Sequence, residues 1–456
     1  MPTLALIKEK RMLLLGIDVG TSSIKVSVVD SQTQKSVAST QYPEGDENRV
    51  ITVSPGWAEQ DPNTWWEQVQ LAIKKLTSSG KFNPKDICAI GIAYQMHGLV
   101  LVDENNNSLR NSIIWSDSRA VEIGDKAFSS IGSDRALSHL LNSPGNFTAA
   151  KLAWVKTNEP EIYAKIDKIM LPGDYIALQL TGTSTTSISA LSEGVFWDFK
   201  NHQISTDVTQ YFGFEDKLFP ETRTLFGEHG TLKADVASEL GLSPNIPISY
   251  KSGDQPNNAL SLNVLEPGEV AATAGTSGVI YAVSDELTFD KESRVNTFAH
   301  VNYSKENPRT GVLLCINGTG ILNYWIKQNL GHGLTYEDMN QLGQKVAPGS
   351  EGLKILPFGN GAERIFNNKI IGAQFLGLDF YMHDKSHVFR ASQEGIAYAF
   401  RYGLDIIREN GINPSIIRAG MANMFQSELF TEIFVNVTGV PVELYNNDGC
   451  VGAALG

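Results

Sequence analysis

Short hydrophobic runs separated by polar turns dominate the start of the chain. Residues 13–17 and 24–29 flank the polar segment 18–23, a pattern that predicts strand, turn, strand. β-Branched residues follow the turn, whereas a P-loop or a Rossmann loop needs a helix there, and neither GxxxxGK[ST] nor GxGxxG occurs in the sequence. We therefore expect a hairpin.

A helical periodicity follows the predicted hairpin. Asp61 suits an N-cap and Pro62 suits the first turn of a helix. The hydrophobic residues that share one face of this helix are Trp65, Val69, Ala72, Ile73 and Leu76. The continuous apolar run 87–93 then predicts a strand buried on both faces. Alternating strands and helices predict an α/β fold.

The second half of the chain repeats the pattern of the first. Residues 269–283 again predict strand, Gly-Thr-Ser turn, strand, and two duplicated lobes follow from the two hairpins. We place the lobes at 12–260 and 261–456. Further elements are predicted as helix, strand, helix and strand at 393–409, 416–418, 428–438 and 441–445. Residues 195–250 show no clear pattern. Residues 1–11 are interpreted as an upstream extension or a wrongly assigned start.

Charge and cysteine content exclude several classes of function. Thirty-seven basic and fifty acidic residues give a net charge of −13, which disfavours a nucleic-acid partner. Three cysteines far apart signal neither a disulfide framework nor a zinc site, which favours the reducing cytoplasm. No apolar stretch reaches the ~18 residues of a membrane span, so no membrane partner is expected.

The two Gly-Thr-Ser turns are candidate phosphate-binding sites. Gly20, Thr21 and Ser22 offer backbone N–H groups and hydroxyls beside the Asp18 carboxylate, a combination that suits phosphates with Mg²⁺. One such turn alone could equally be an ordinary polar turn. The matching turn of Gly275-Thr276-Ser277 strengthens the prediction, because two turns facing each other across a cleft could clamp a triphosphate.

Asp254 is a candidate catalytic base. It follows a predicted strand and precedes Gln255-Pro256, so its carboxylate could accept the proton of a substrate hydroxyl during phosphoryl transfer. The alternative is an N-cap, which Asp before a helix commonly provides.

Two further segments follow predicted strands, where ligands bind in α/β sheets. Met96-His97 offers an imidazole for a sugar hydroxyl or carbonyl, or a structural histidine. Asp117 could line the same pocket, or form a surface ion pair with Arg119.

Taken together, these segments resemble the FGGY family of carbohydrate kinases, part of the actin-like and sugar-kinase superfamily. The resemblance extends from Met12 to Gly456. Its most specific stretches are GIDVGTSSIKV, WAEQDPNTWW, GIAYQMHG, IIWSDSR, FTAAKLAWVKTNEPEIYAKIDKIMLPGDYIALQLTG and TAGTSGVIYAVS.

The resemblance implies two duplicated actin-like, ribonuclease H-like lobes with a cleft for nucleotide and sugar between them. The first lobe would hold the sugar, the first phosphate turn and the catalytic Asp254, and the second lobe would bind ATP. The implied metal ligands for Mg²⁺ are Asp18 and Asp254. The implied ATP-binding residues are Gly20, Thr21, Ser22, Gly275, Thr276, Ser277, Gly320, Gly420 and Asn423. The implied substrate-binding residues are Met96, His97, Asp254, Gln255, Trp57 and Asp117.

The substrate implied by the resemblance is a ketopentose, D-xylulose, phosphorylated by ATP at its terminal hydroxyl. Met96-His97 favours this, because family members that act on glycerol carry Arg-Glu at these positions. L-Ribulose, glycerol and gluconate are alternative substrates, and an actin-like nucleotide switch is an alternative of another class. A sugar-sensing regulator would need a DNA-binding segment, which the sequence lacks.

Two departures from the family pattern affect the second lobe. Residues 418–425 replace the usual Gly-Gly-Gly-Ala-Arg loop, and relatives continue with further helix beyond the segment matching DGCVGAALG, so we expect a truncated C-terminal end. A homodimer is the default expectation for such an enzyme.

Overall fold

The computed structural model describes residues 12–45, 50–446 and 448–456. The interpretation of residues 1–11 lies outside the described residues. Two mixed sheets organise the fold, one in each half of the chain.

The first sheet has three antiparallel strands followed by two parallel ones. Its order is β5-β4-β1-β2-β3, with β1, β2 and β3 antiparallel and with β4 and β5 parallel to β1. The strands are β1 (Leu13–Val19), β2 (Ile24–Asp30), β3 (Ser36–Tyr42), β4 (Ile87–Tyr94) and β5 (Ile248–Gly253). The predicted hairpin and the predicted strand at 87–93 are thus confirmed.

The second sheet repeats this arrangement. Its order is β8-β9-β7-β6-β10-β11, with β6, β7 and β9 antiparallel and with β10 and β11 parallel to β6. β8 is an additional edge strand. The strands are β6 (Glu269–Ala274), β7 (Gly278–Ser284), β8 (Asn296–Ala299), β9 (Thr310–Ile316), β10 (Ile416–Gly420) and β11 (Val442–Tyr445). The predicted duplication is confirmed by the matching strand directions.

Six helices carry the site or its frame. They are α1 (Pro62–Thr77), α2 (Asp254–Ser261), α3 (Gly320–Leu330), α4 (Lys385–Glu409), α5 (Glu428–Thr438) and α6 (Gly449–Leu455). α1 packs on β2 and β3 through its five predicted hydrophobic residues, and Asp61 caps it as expected. α4 starts eight residues before the predicted 393, because Asp384 and His387 form a capping box there.

The remaining elements are short and surround the two sheets. The other helices are Val121–Ile131, Ser133–Leu140, Thr148–Asn158, Pro160–Tyr163, Pro172–Thr181, Ile188–Glu193, Thr206–Phe212, Ala234–Leu240 and Tyr336–Gln344. The other strands are Glu59–Gln60, Val100–Val102, Ser112–Ile113, Lys168–Met170, Thr185–Ser187, Trp197–Asp198, Gln203–Ile204, Glu221–Arg223, Lys354–Leu356, Ala362–Glu363, Lys369–Ile370 and Gln374–Leu376. Residues 195–250, which gave no sequence pattern, contain only such short elements before β5.

Two helices cross between the two halves of the chain, each following one sheet and contacting the other. α2 leaves the first sheet and contacts β6 and β7, whereas α6 leaves the second sheet and packs on β1 and β4. The two helices also contact each other, and Asn257 Nδ2 donates to the Gly449 carbonyl at 2.8 Å. A third hydrophobic cluster joins the lobes, since Met96 and Phe147 of the first share it with Phe298 of the second.

The backbone of α6 lies directly on the first sheet. A Cβ atom at Gly91 would lie 1.8 Å from the Ala453 carbonyl oxygen, and one at Gly16 would lie 1.9 Å from that of Cys450. Glycine at these two positions is therefore what lets the helix approach the strands. Within the described ranges, no helix has the length and apolar character needed to cross a membrane.

Gly91→Ala should destabilise the protein, because the added methyl group meets backbone that cannot rotate away. We expect a loss of about 2 kcal/mol or more in the free energy of unfolding, measured by urea denaturation. Gly45→Ala is the control, since no atom lies within 4 Å of a Cβ there. Equal stability of the two variants would contradict this packing.

Candidate active site

The carboxyl ends of three parallel strands converge at one edge of the first sheet. Asp18 of β1, Ala93 of β4 and Ser252 of β5 are level with one another in the strand register. The residues that follow each strand therefore reach the same place: the first Gly-Thr-Ser turn after β1, Met96-His97 after β4 and Asp254 after β5.

The first turn is held by amide side chains. Thr21 Oγ1 donates to Gln95 Oε1 at 3.1 Å and accepts from Trp115 Nε1 at 3.0 Å. Gln60 Nε2 donates to the Thr21 carbonyl at 2.7 Å, and Gln95 Nε2 donates to Gln60 Oε1 at 2.9 Å. The network fixes the turn at the sheet edge, with Gly20 bonded across it to the Ser23 carbonyl at 3.2 Å.

Asp254 is the first residue of α2, and Gly253 occupies the N-cap position. The alternative that Asp254 is the N-cap is therefore wrong, because the N-cap lies one residue earlier. Burial raises the pKa of Asp254 to about 7, and the negative charge of Asp18 adds to the rise, while hydrogen bonds from Gln255 and from its own backbone oppose it. A carboxyl group with this pKa is well matched to accept a proton near neutral pH.

Asp18 is the second acid at this edge. Burial raises the pKa of Asp18, Lys25 opposes the rise, and Asp448 contributes to it. Asp18 and Asp254 provide carboxylate oxygens, the ligands that Mg²⁺ prefers. A bound Mg²⁺ would also relieve the repulsion between their two negative charges. The residues present thus fit a magnesium ion.

Met96 and His97 follow β4 and lie beside the end of β5. Met96 is buried, and a Cβ at Gly253 would lie 2.6 Å from Met96 Cγ and equally close to Glu193 Oε2. His97 has a left-handed backbone with φ of 63°, and its carbonyl accepts a hydrogen bond from Lys151 Nζ at 2.8 Å. Its ring packs between Phe147 and Phe298, one from each lobe.

The contacts of His97 determine its hydrogen-bonding role. Its Nδ1 lies 2.9 Å from the Glu193 carbonyl, an acceptor only, so Nδ1 carries the proton and Nε2 holds a lone pair. Burial lowers the pKa of His97 to about 3, with the charge of Lys151 acting in the same direction. His97 is therefore a neutral acceptor for a hydroxyl group.

Glu193 and Lys151 were not identified from the sequence. Burial raises the pKa of Glu193 well above its usual range, and the Asp254 charge also raises it. Its Oε2 has no hydrogen-bond partner among the residues that the structure describes. Burial lowers the pKa of Lys151 to about 7. The sequence signal for Lys151 was a single lysine within the mostly apolar segment FTAAKLAWV.

Asp117 is completely buried, so the interpretation as a surface ion pair is wrong. Arg119 Nε lies 2.9 Å from Asp117 Oδ2, and the Ala58 N–H donates to the same oxygen at 2.6 Å. Arg119 also pairs with Glu59 at 2.7 Å and lies over the ring of Trp57 at 3.9 Å. Asp117 thus orients Arg119, which in turn supports Trp57.

The second turn borders a cavity of about 750 Å³. Of the predicted ATP-binding residues, the structure brings four to its lining: Gly275, Thr276, Gly320 and Asn423. Gly320 N donates to the Gly275 carbonyl at 2.9 Å, and a Cβ at Gly320 would lie 2.3 Å from that oxygen, so this contact requires glycine. Ser277 follows Thr276 in the chain and Gly420 lies three positions before Asn423, but neither lines the cavity.

Tyr324 and Tyr336 complete one wall of this cavity and were not identified from the sequence. Both are partly exposed, with 53% and 40% of their surface accessible. Ser22 of the first turn is exposed as well.

The chain thus has two duplicated α/β lobes, a cavity against one glycine turn and two acids beside the other. Family models of the FGGY carbohydrate kinases match residues 13–261 (N-terminal domain) and 270–456 (C-terminal domain). The chain belongs to the FGGY family of carbohydrate kinases. It is therefore a phosphotransferase that uses ATP and a sugar.

Individual relatives have similar lengths. The chain is 30% identical over 431 residues to a xylulose kinase from Haemophilus influenzae, covering 92% of this chain and 85% of the relative. It is 29% identical over 446 residues to the xylulose kinase of Escherichia coli, covering 97% and 88%. A solved structure from Brucella ovis, described as a xyloylose kinase, superposes with a TM-score of 0.85 at 28% identity, covering 97% and 89%.

Asp117→Asn should lower stability because it leaves Arg119 short of a buried counter-charge. We expect a loss of about 3 kcal/mol in the free energy of unfolding, measured by urea denaturation. The control is Glu221→Gln in the exposed pair with Arg223, which should change stability by less than about 0.5 kcal/mol. An unchanged stability for Asp117→Asn would assign Asp117 another role.

Proposed function

We propose that this kinase transfers the γ-phosphoryl group of ATP to the terminal hydroxyl of D-xylulose, giving D-xylulose 5-phosphate. The observation that carries the proposal is the position of Asp254. It follows β5 at the sheet edge, close enough to Asp18 and to Glu193 for their charges to interact, and Glu193 in turn is hydrogen-bonded to His97.

Asp254 acts as the general base in this proposal. Its carboxylate accepts the proton of the attacking hydroxyl while the oxygen forms its bond to the γ-phosphorus and the bond to the β-phosphate oxygen breaks. Its raised pKa makes the carboxylate more basic than an exposed aspartate, and the N-terminus of α2 supplies positive potential that keeps it partly ionised.

Sugar binding is assigned to the His97 side of Asp254. The neutral Nε2 of His97 accepts a hydrogen bond from a sugar hydroxyl, while Phe147 and Phe298 hold the ring and Lys151 holds its peptide carbonyl. Gln255 follows Asp254, and Trp57 supported by Arg119 forms a more distant wall. Asp117 acts through Arg119 and not by direct contact.

Nucleotide binding is assigned to the two turns and the cavity between β6, α3 and Asn423. The cavity of about 750 Å³ accommodates a nucleoside, with the phosphates running towards Gly20, Thr21 and Ser22. Ser277 and Gly420 support the turn and the neighbouring loop. Mg²⁺, held by Asp18 and Asp254, would neutralise the β- and γ-phosphates.

The choice of D-xylulose rests on the relatives named above and on Met96-His97. L-Ribulose, glycerol and gluconate are the competing substrates, since discrimination among hydroxyl patterns depends on a few hydrogen bonds. We further propose that the enzyme acts in the cytoplasm and that residues 12–260 and 261–456 form the sugar-binding and ATP-binding lobes. α6 is shared with the first lobe.

Asp254→Asn tests the base directly, because the amide has the same shape but cannot accept the proton. We expect a loss of about 10²–10⁴-fold in turnover, measured as coupled ADP release. The assay uses Mg²⁺–ATP with D-xylulose, L-ribulose, glycerol, gluconate or no sugar. The matched control is Asp235→Asn, another acid in the first turn of a helix, which should retain full turnover.

The outcomes separate the parts of the proposal. Fastest turnover on D-xylulose that is lost in Asp254→Asn supports both the substrate and the base. Preference for another sugar keeps the base and overturns the substrate. ADP release that no sugar accelerates, equal in both variants, points to a nucleotide switch, and a loss below about tenfold removes Asp254 from catalysis.

The pH dependence of kcat/KM should follow the ionisation of Asp254. Because a base works only when ionised and its pKa is raised to about 7, activity should rise with pH through this range and then level off. Free Mg²⁺ beside Asp18 and Asp254 favours the ionised form, so more Mg²⁺ at constant Mg²⁺–ATP should move the acid limb to lower pH. A limb that stays fixed as Mg²⁺ varies would argue against the shared site.

A further inference from the structure

Glu193 is a buried acid beside His97 and takes no part in the proposed proton transfer. It is the last residue of the short helix Ile188–Glu193, and only 1% of its surface is exposed. The same helix is hydrogen-bonded to β8 of the second lobe, where Ser189 Oγ donates to the Ala299 carbonyl at 3.0 Å. Contacts with both lobes therefore fix the position of Glu193.

The two carboxyl oxygens of Glu193 have different surroundings. Oε1 accepts a hydrogen bond from the His97 N–H at 3.3 Å. Oε2 has no hydrogen-bond partner among the described residues, and it lies against Gly253, where a Cβ would come within 2.6 Å of it. Because Gly253 directly precedes Asp254, this oxygen lies beside the backbone that carries the proposed base.

The surroundings of Glu193 favour its neutral form. Burial raises its pKa well above the usual range, and the charges of Asp254 and Asp174 raise it further, whereas the His97 N–H and the charge of Lys151 oppose the rise. Since Oε1 already accepts a hydrogen bond, the proton belongs on Oε2, which then becomes a donor. A buried donor without a partner is unfavourable, so Oε2 is suited to a ligand atom that accepts.

The groups along this row differ in hydrogen-bond polarity. Glu193 contacts His97 and Gly253, so a sugar that binds to both His97 and Asp254 comes within its reach. Nε2 of His97 and the carboxylate of Asp254 only accept hydrogen bonds, and each of them therefore requires a hydroxyl group. The neutral carboxyl group of Glu193 is the donor of the three and suits an oxygen that carries no proton.

The reacting form of D-xylulose has such an oxygen. This ketose closes its furanose ring through the terminal hydroxyl, which is the same oxygen that attacks the phosphate in the proposed reaction. The molecule that reacts is therefore the open chain, with a free ketone. Its hydroxyl groups can turn to donate or to accept, whereas its ketone oxygen can only accept.

We propose that Glu193 donates a hydrogen bond from its neutral carboxyl group to the ketone oxygen of the open-chain sugar, while His97 accepts from a hydroxyl of the same molecule. This role rests on the proposed function and adds to it a residue that selects the class of sugar. Glycerol and gluconate have no ketone oxygen, whereas D-xylulose and L-ribulose have one, so Glu193 favours ketoses over polyols and sugar acids.

Calorimetric titration of the full chain with D-xylulose, without nucleotide, measures what Glu193 contributes to binding. Glu193→Met keeps the length of the side chain but has no donor, so it should weaken binding at least about tenfold. Glu193→Gln retains a donor and an acceptor and should bind within about threefold of the wild type. The matched control is Glu239→Met at an exposed position, and binding of ADP verifies that each variant is folded.

A weaker affinity would also follow if Glu193 acted only by holding His97, so a second measurement observes the sugar oxygen itself. A donated hydrogen bond lowers the stretching frequency of a carbonyl group. In infrared difference spectra at saturating D-xylulose, labelled with carbon-13 at the ketone carbon, we expect this lowering with the wild type and with Glu193→Gln. We expect it to be lost with Glu193→Met, or with Glu193→Leu where the methionine variant does not fold.

The outcomes distinguish this role from the proposed function. A carbonyl stretch that is lowered in the wild type and in Glu193→Gln but not in Glu193→Met supports the role of Glu193. If D-xylulose is bound and phosphorylated but its carbonyl stretch is the same in Glu193→Met, the role is overturned and the proposed function stands. Binding that Glu193→Gln weakens more than about tenfold also overturns it, because an ionised carboxylate is then required. A wild type that binds no D-xylulose overturns the proposed substrate and this role with it.

Discussion

The site depends on the crossing of α2 and α6 between the two sheets. Each helix follows the last parallel strand of one sheet and contacts the other sheet, so each N-terminus lies in the cleft. α2 thereby places Asp254 at the edge of the first sheet, and α6 brings Gly449 to Asp18, where a Cβ would lie 2.9 Å from Asp18 Oδ2. Backbone contact at Gly16 and Gly91 leaves α6 no freedom to shift along the strands. The position of the acids is thus a consequence of helix packing.

The packing of α2 and α6 brings buried acids together, and their mutual repulsion is an electrostatic cost. Asp18, Asp254 and Glu193 are acids held close together where water is scarce, and burial raises the pKa of each. An unpaired buried charge is unfavourable. Such a cluster is therefore stabilised when a cation binds beside it or when one of its carboxylates is protonated. In the proposed mechanism, a metal ion held by Asp18 would supply this positive charge. The raised pKa of Glu193 favours its protonated form. In the proposed mechanism, Asp254 is then the carboxylate that accepts the hydroxyl proton.

The sequence predicted the parts of this site that local pattern determines. The two hairpins, α1 and the position of Asp254 after a strand all follow from neighbouring residues, because strand periodicity and turn chemistry act over a few positions. Glu193 and Lys151 escaped prediction because they reach His97 from helices about 50 to 100 positions further along the chain. For Asp117 the sequence left a surface ion pair open beside a place in the pocket wall, because nothing near it indicates that Glu59 and the Trp57 ring enclose Arg119. Such contacts exist only once the sheet has formed.

In the proposed sugar site, substrate choice would depend on hydrogen-bond polarity more than on the fold. Many sugar kinases can share two duplicated lobes, since the fold supplies only the cleft and the crossing helices. At His97 the Glu193 carbonyl selects the tautomer, and Lys151 holds a left-handed peptide that a non-glycine residue adopts only under constraint. The resulting Nε2 accepts a hydrogen bond and cannot donate one. It therefore favours binding of a ligand that places a hydroxyl there and disfavours one that places a carbonyl oxygen there. If His97 binds the sugar as proposed, specificity would depend as much on the residues that orient His97 as on His97 itself.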